Sequence, residues 1–497
     1  MSAFAHHLIH VALLALLVPH AAQASEEADG KPRHTRCEGT SKAVARTALA
    51  ADPYPLMAAG WGPEVGCGLM ASRWAQEWSR AGVAGCAPSL KAIALGDSAT
   101  LTLGSEARLR YVATGNTQLR RGHDGEQTQL RAVVGADLRV SPHLRFYGEL
   151  GTGHVDGRRA AATANLQNDI AVQQLFVDLR GGVGSTLVGA MVGRQEFSDG
   201  PRQLISLSDG PNLHRSWNGV RLYAHGARAR LGAFDLRATR LGPGGLDEQV
   251  NHAEKLQGLN ASFIVSPGAG SNTYLEPFWI HSENSAYRLG SRVAPDDRHT
   301  FGARLWGRQG PMRFDWTVAR QTGRAIDNRS IEALGLFGVQ SLVLSDSGWK
   351  PRLTSHVDIA SGGGAYGTGP LREFNPLYAS SNHLGESQFL TLSNLVIVAP
   401  GITVSPTPWT TLSFEYGYAR RLQATDAVYA GGMRAYAGTQ NVPGHHIGGL
   451  TRLSGSWSPS QALALSVTFE HLEAGDVLER AGHPSGTYGH LSATYRY

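Results

Sequence analysis

Along most of this chain, apolar and polar residues alternate with a period of two. Leu101, Leu103, Ala107, Leu109 and Tyr111 fall on one set of positions, and Glu106, Arg108 and Arg110 on the other. Leu130, Ala132, Val134, Ala136, Leu138 and Val140 oppose Arg131, Asp137 and Arg139 in the same way. A third stretch sets Leu144, Phe146 and Leu150 against Arg145, Tyr147 and Glu149. Successive side chains of a strand point to opposite faces, so this period predicts strands with one greasy and one charged face. The last residues repeat it, with Gly489, Leu491, Ala493, Tyr495 and Tyr497 alternating against His490, Ser492, Thr494 and Arg496. A final strand running to an aromatic residue is expected of an outer-membrane β-barrel, where it closes the sheet and places the ring at the membrane interface.

The connections alternate as well. Short turns fall at Ser141-Pro142, 181–184, His225-Gly226, 266–271, 309–311, 345–350, 405–408 and 458–460. Longer polar loops lie between them, near 114–126, 154–168, 197–213, 242–255, 284–297, 323–330, 362–386, 422–444 and 474–485. Eight short and nine long connections join 18 strands, and the even number returns both barrel ends to the periplasm. The predicted fold class is all-β: a single antiparallel transmembrane β-barrel of about 18 strands over residues 97–497, with short periplasmic turns and long extracellular loops. Residues 331–344 and 387–404 alternate poorly and could shift the count by two. A soluble sandwich or propeller needs no such long/short rule, and no blade-length repeat is visible.

The start of the chain differs. Leu8 to Val18 is an apolar core followed by Ala22-Gln23-Ala24, which predicts a signal peptide over 1–24 with Ser25 as the first mature residue. His6 and His7 stand where a signal usually carries Lys or Arg. Residues 25–96 lack alternation and read as a periplasmic leader that docks on or under the barrel, with an amphipathic turn or two between Arg73 and Arg80. Cys37, Cys67 and Cys86 all precede the barrel; one disulfide is possible, most simply Cys67 with Cys86, and the sequence leaves the pairing open. Past the N-terminus no stretch approaches the roughly 18 apolar residues of a membrane helix. Mean hydropathy is only −0.20, which suits a barrel, where every second residue faces lipid.

The formal net charge is +5, and all but five of the 45 cations are arginine. A GC-rich genome would favour Arg codons regardless of function. The functional explanation is that guanidinium binds carboxylate at two points, as ammonium cannot. In a barrel the apolar face meets lipid, so the charged face lines the lumen. This places Arg108, Arg110, Arg131, Arg139, Arg145, Arg215, Arg221 and Arg304 inward, with Glu149 among the interspersed acids. Rings of arginine favour anions in a pore. The plainer alternative is a neutralised wall that serves solubility and packing. No catalytic motif, metal site or cofactor signature is present, and nothing points to nucleic acid.

One stretch is more specific. Val192-Gly193-Arg194-Gln195-Glu196 is followed by Gly200, Arg202-Gln203-Leu204-Ile205, Pro211-Asn212 and Arg215-Ser216-Trp217-Asn218-Gly219-Val220-Arg221. Arg73-Trp74 with Trp78, Leu90-Lys91 leading into Leu103-Gly104-Ser105-Glu106-Ala107-Arg108, Asp358 to Ser361, and Phe374-Asn375-Pro376-Leu377-Tyr378 add to it. In this order they resemble the alginate export porin family. The resemblance implies an 18-stranded barrel that exports anionic polysaccharide through an arginine-lined pore, and it adds Arg194 and Glu196, near the outer end of a strand, to the candidate pathway. The expected function is thus a passive export channel for an alginate-like polyuronate, not an enzyme. The alternative is a general or anion-selective uptake porin for small solutes. The expected place is the outer membrane of a Gram-negative bacterium, after signal cleavage. The expected partners are outer-membrane lipid, the anionic polysaccharide and periplasmic export or biosynthesis proteins.

Overall fold

The computed structural model describes residues 68–70, 72–78, 88–157, 162–198, 204–242, 244–266, 271–379 and 383–497. The signal peptide, the three cysteines, most of the leader, Gly200, Arg202, Gln203 and the turn at 267–270 lie outside the described residues.

Alternation becomes strand wherever it was clear. The barrel strands are β2 (Ala99–Gly115), β3 (Gly125–Ser141), β4 (Leu144–Asp156), β5 (Asn168–Val183), β6 (Thr186–Glu196), β7 (Ser216–His225), β8 (Ala229–Arg240), β9 (Gln249–Ser266) and β10 (Ser271–Leu289). They continue as β11 (Arg292–Gln309), β12 (Met312–Ala325), β13 (Arg329–Val343), β14 (Arg352–Ala360), β15 (Leu395–Thr407), β16 (Thr410–Arg420), β19 (His446–Trp457), β20 (Leu463–Ala474) and β21 (Gly486–Arg496). A short β1 (Ile93–Leu95) pairs with the start of β2, and β17 (Tyr429–Ala430) with β18 (Arg434–Ala435) form a small hairpin between β16 and β19. Each barrel strand pairs antiparallel with the next, and β21 returns to β2 with register running from Glu106↔Arg496 to Gly115↔Thr487. The result is a closed barrel of 18 strands with no free edge, so the hydrogen-bonding groups of the sheet backbone are met within the sheet.

The two faces sort as the pattern dictates. Leu109 is 51% exposed and its neighbour Arg108 only 2%. Val134, Leu175, Leu222, Leu259 and Leu491 project outward, whereas Glu106, Arg131, Asp178, Arg304 and Asp358 are buried inside. Trp349, Trp409 and Trp457 are exposed at the short-turn end, and Tyr111 and Tyr418 towards the other, as aromatic girdles are at the two lipid interfaces.

One expectation changes, at two places. The long loops read at 284–297 and 323–330 are tight connections, Gly290–Ser291 and 326–328, because strands β10 to β13 continue with charged residues on both faces. The poorly alternating 331–344 is mostly strand β13, and 387–404 supplies β15, so the count stays at 18. The leader does not stop at the rim. Its 3₁₀ turn Arg73–Ala75 is buried against inward-facing side chains of β2, β4, β5 and β7.

Candidate functional site

The charged inward faces of β2, β3 and β4 carry two ion-pair groups that meet through the leader and Tyr147. Glu106 is the centre of the first. It accepts from Arg73 at 3.1 Å and from Arg496 at 2.8 Å, and it pairs with Arg131. Glu149 takes two hydrogen bonds from Arg73, at 2.8 and 3.0 Å, and one from the Tyr147 hydroxyl at 2.8 Å. Arg139 and Arg145 share Asp137, at 3.0 and 2.7 Å. Arg139 also reaches Glu77 of the leader at 2.5 Å, and Arg145 donates to the Trp74 carbonyl while lying over the Tyr147 and Phe176 rings. Desolvating so many guanidiniums is tolerable only because each meets acids or carbonyls at short range.

A second layer comes from loops folded onto this wall. In the loop between β6 and β7, Arg108 donates to the carbonyls of Asp209, Gly210 and Pro211 at 2.6 to 3.1 Å. Arg131 holds the Asp209 carboxylate at 2.8 Å. In the loop between β14 and β15, Glu386 accepts from Arg110 at 2.9 Å. His214 bridges Glu196 at 2.5 Å and Asp209 at 2.7 Å. Burial works against a charged imidazole here, but Glu196 and Asp209 outweigh it and raise His214 from 6.5 to about 9.

The two loops also clasp each other. Tyr378 and Ile205 form a parallel bridge, with Tyr378 N–H donating to Leu204 O at 2.7 Å and Ser206 N–H to Tyr378 O at 2.9 Å. The fully buried Trp217 packs edge-on to Tyr378 at 4.8 Å, and Arg215 lies over the same ring at 4.9 Å. Phe374 packs on Phe337 of the wall, and Asn375 exchanges hydrogen bonds with Gln321. Two motifs more than 150 residues apart in sequence thus meet in one contact. The motif glycines have a backbone reason. Gly193 and Gly219 face each other in the β6–β7 register, at φ +132° and +151°. A Cβ at either would stand 2.3 Å from Leu175 O or 2.1 Å from Asp235 O.

Arg108, Arg110, Arg131, Arg139, Arg145 and Glu149 therefore belong to one cluster, and Glu196 joins it through His214. Arg221 lies beside it, hydrogen-bonded to Gln195 at 2.5 Å and stacked over Trp74 and Phe197. Arg304 stands elsewhere on the wall, held by Asp315 and Glu276 at 2.6 to 2.9 Å. Arg194 shares the strand face of the exposed Val192 and pairs with Glu248 at 2.8 Å. Sequence reasoning quoted Arg73 only within a family motif and gave Asp209, His214 and Glu386 no role, because they lie in segments without periodicity. Further from the cluster, loop carboxyls Glu373 and Asp426 lie side by side, and burial and mutual repulsion push Glu373 up from 4.5 to about 7.

Residues 99–490 match the family model described as alginate export. The barrel also resembles solved porins. These include OpdK of Pseudomonas aeruginosa with vanillate (TM-score 0.55, 11% identity, covering 81% of this chain and 99% of that one). A BenF-like porin from Pseudomonas fluorescens gives 0.54 at 12% identity, covering 80% and 98%. OccK2 of Pseudomonas aeruginosa, in complex with glucuronate, gives 0.51 at 13% identity, covering 80% and 96%. A comparison with curated protein sequences finds no match.

Proposed function

The chain belongs to the alginate export family and has the fold of an outer-membrane porin, and on that premise we propose that it passively exports an anionic polysaccharide of the polyuronate type. The family and fold point to a channel rather than an enzyme. The observation that carries the finer reading is the pairing of inward arginines with acids from the connecting loops rather than from the wall alone. Arg108 and Arg131 are engaged by Asp209, and Arg110 by Glu386, all from loops. Those carboxylates occupy the guanidinium positions that successive uronates of a polymer would take. Exchanging one carboxylate for another costs little net energy, so a chain can displace the loops without being held too tightly to leave. Direction comes from synthesis on the periplasmic side.

A second reading is favoured by one observation. Nearly every inward side chain named above is buried, which suits a narrow path for a small carboxylate on the same scaffold. Planar-bilayer recordings separate the two. The reversal potential in a KCl gradient should show anion preference, and added oligomannuronate should block the current at lower concentration than monomeric glucuronate. Equal block by monomer and oligomer moves the assignment to a small-solute porin, and cation preference sinks the arginine pathway altogether.

A further inference from the structure

We propose that the inner wall carries a second, unrelated site: a transition-metal centre of the zinc class, built by His356 and Asp358 of β14 and His383 of the β14–β15 loop. It stands apart from the transport reading and does not depend on it.

The three side chains converge on one point. His356 Nδ1 lies 2.7 Å and His383 Nε2 2.9 Å from the same oxygen, Oδ2 of Asp358. One donor atom from each lies within 4.8 Å of the other two. Ligand atoms around a tetrahedral ion with bonds of about 2.0–2.1 Å sit somewhat over 3 Å apart, so a sub-ångström outward adjustment admits the ion. Two imidazoles and a carboxylate are the donor set of zinc and its neighbours. Calcium and magnesium select oxygen donors instead.

The surroundings strengthen the assignment. A metal-bound histidine normally donates its second N–H to a carboxylate, which fixes the tautomer. His356 Nε2 faces Glu415 Oε1 at 3.1 Å, leaving Nδ1 as the donor to an ion. Arg452 then secures both halves of the site, donating to Glu415 at 3.0 Å and to the backbone carbonyl of His383 at 3.1 Å. Asp358 is fully buried, and its Oδ1 has no hydrogen-bond partner among the described residues. A buried carboxylate oxygen left unpaired is costly, and an ion held by both Asp358 oxygens would satisfy it. The site has three protein ligands, which leaves one position for water or a solute group. Glu415 is the positioning residue.

The test uses the untagged full-length chain, refolded in detergent and stripped with a chelator. Zn2+ titrated by calorimetry at neutral pH should show one saturable site per chain, and Co2+ in its place should give visible absorption of a low-symmetry site. His383→Ala changes only a loop side chain and should abolish the site. Glu415→Gln should weaken it by roughly 10- to 100-fold. A His281→Ala/His299→Ala variant, which removes the outward-facing histidine pair, should leave it intact. Heat-modified gel migration establishes that each variant is a folded barrel. No saturable site at micromolar Zn2+ in the folded chain overturns the proposal. So does binding that survives His383→Ala or disappears with the outward pair.

Discussion

Arg73, from the segment that precedes the barrel, donates two hydrogen bonds to Glu149 on the inward face of β4, at 2.8 and 3.0 Å across 76 residues of sequence. It also reaches Glu106 of β2, so one guanidinium ties the leader to two strands. Its removal leaves the buried Glu149 with neutral donors only, while Glu106 keeps Arg131 and Arg496, and breaking a buried pair of this kind costs about 3–5 kcal/mol. Arg73→Ala should therefore lower the unfolding temperature and let the leader leave the lumen, raising single-channel conductance. Adding Glu149→Gln should recover part of the stability. Unchanged conductance and stability in Arg73→Ala would show that the leader does not constrain the channel.

The substrate role proposed for the arginines is separable from their structural one. Arg108 and Arg110 are held by loop groups and not by the Glu106 centre alone. Hydrogen bonds to charged groups are worth about 1.5–3 kcal/mol, so losing one carboxylate contact weakens binding by roughly 10- to 100-fold. Arg108→Gln/Arg110→Gln should reduce oligomannuronate block by that factor and lower anion preference. A variant at Arg304, which Asp315 and Glu276 neutralise away from these loops, should do neither. Equal effects at both places would favour a diffuse wall potential over a defined path.

The strands are legible in the sequence because a lipid-facing side forces alternation: the period alone puts Leu109 and Arg108 on opposite faces, where the structure has them. Above the lipid that force vanishes. Around Gly290 the inward Asp296 and outward Asp297 are equally polar, so strand there reads as loop. The site was legible only on its wall side. Arg131 announces itself by period, whereas its partners Asp209 and His214 sit in irregular backbone, where position in sequence says nothing of direction. The motif around Trp217 marked the right region, but its docking on Tyr378 is a tertiary fact.

Gly219 offers a sharp test of that motif. Its φ of +151° and a Cβ position 2.1 Å from Asp235 O leave no room for alanine without moving the β7–β8 pair. Gly219→Ala should cut the refolded fraction on heat-modified gels several-fold. Gly181→Ala, where the added methyl would meet nothing within 4 Å, should refold as the parent does.

Glu373 predicts an acid-side effect in the loops. Burial and the neighbouring Asp426 raise it from 4.5 to about 7, so the folded loops prefer the protonated form. Their contact is strongest below about 4.5 and weakens as pH rises through 7. Amide exchange at Ala365, whose N–H donates to Glu373 at 2.6 Å, should quicken over that window, and Glu373→Gln should flatten the change. Exchange independent of pH, after correction for the intrinsic rate, would sink this.

His214 predicts an effect of the same sign at higher pH. Its pKa is raised from 6.5 to about 9 by Glu196 and Asp209 against the cost of burial. A group raised in this way stabilises fully below its unfolded value and loses that contribution as pH climbs through its folded one. The β6–β7 loop should accordingly be tight up to about pH 6.5 and loosen towards and beyond pH 9. Since Asp209 also engages Arg108 and Arg131, deprotonating His214 loosens the carboxylate that occupies those guanidiniums. Oligomannuronate should then compete more readily, so its block should strengthen between pH 7 and 9. His214→Gln should abolish that pH dependence and hold block near its alkaline level throughout. Block that weakens on alkalinisation in the parent chain would instead mean that charged His214 is itself part of the binding surface.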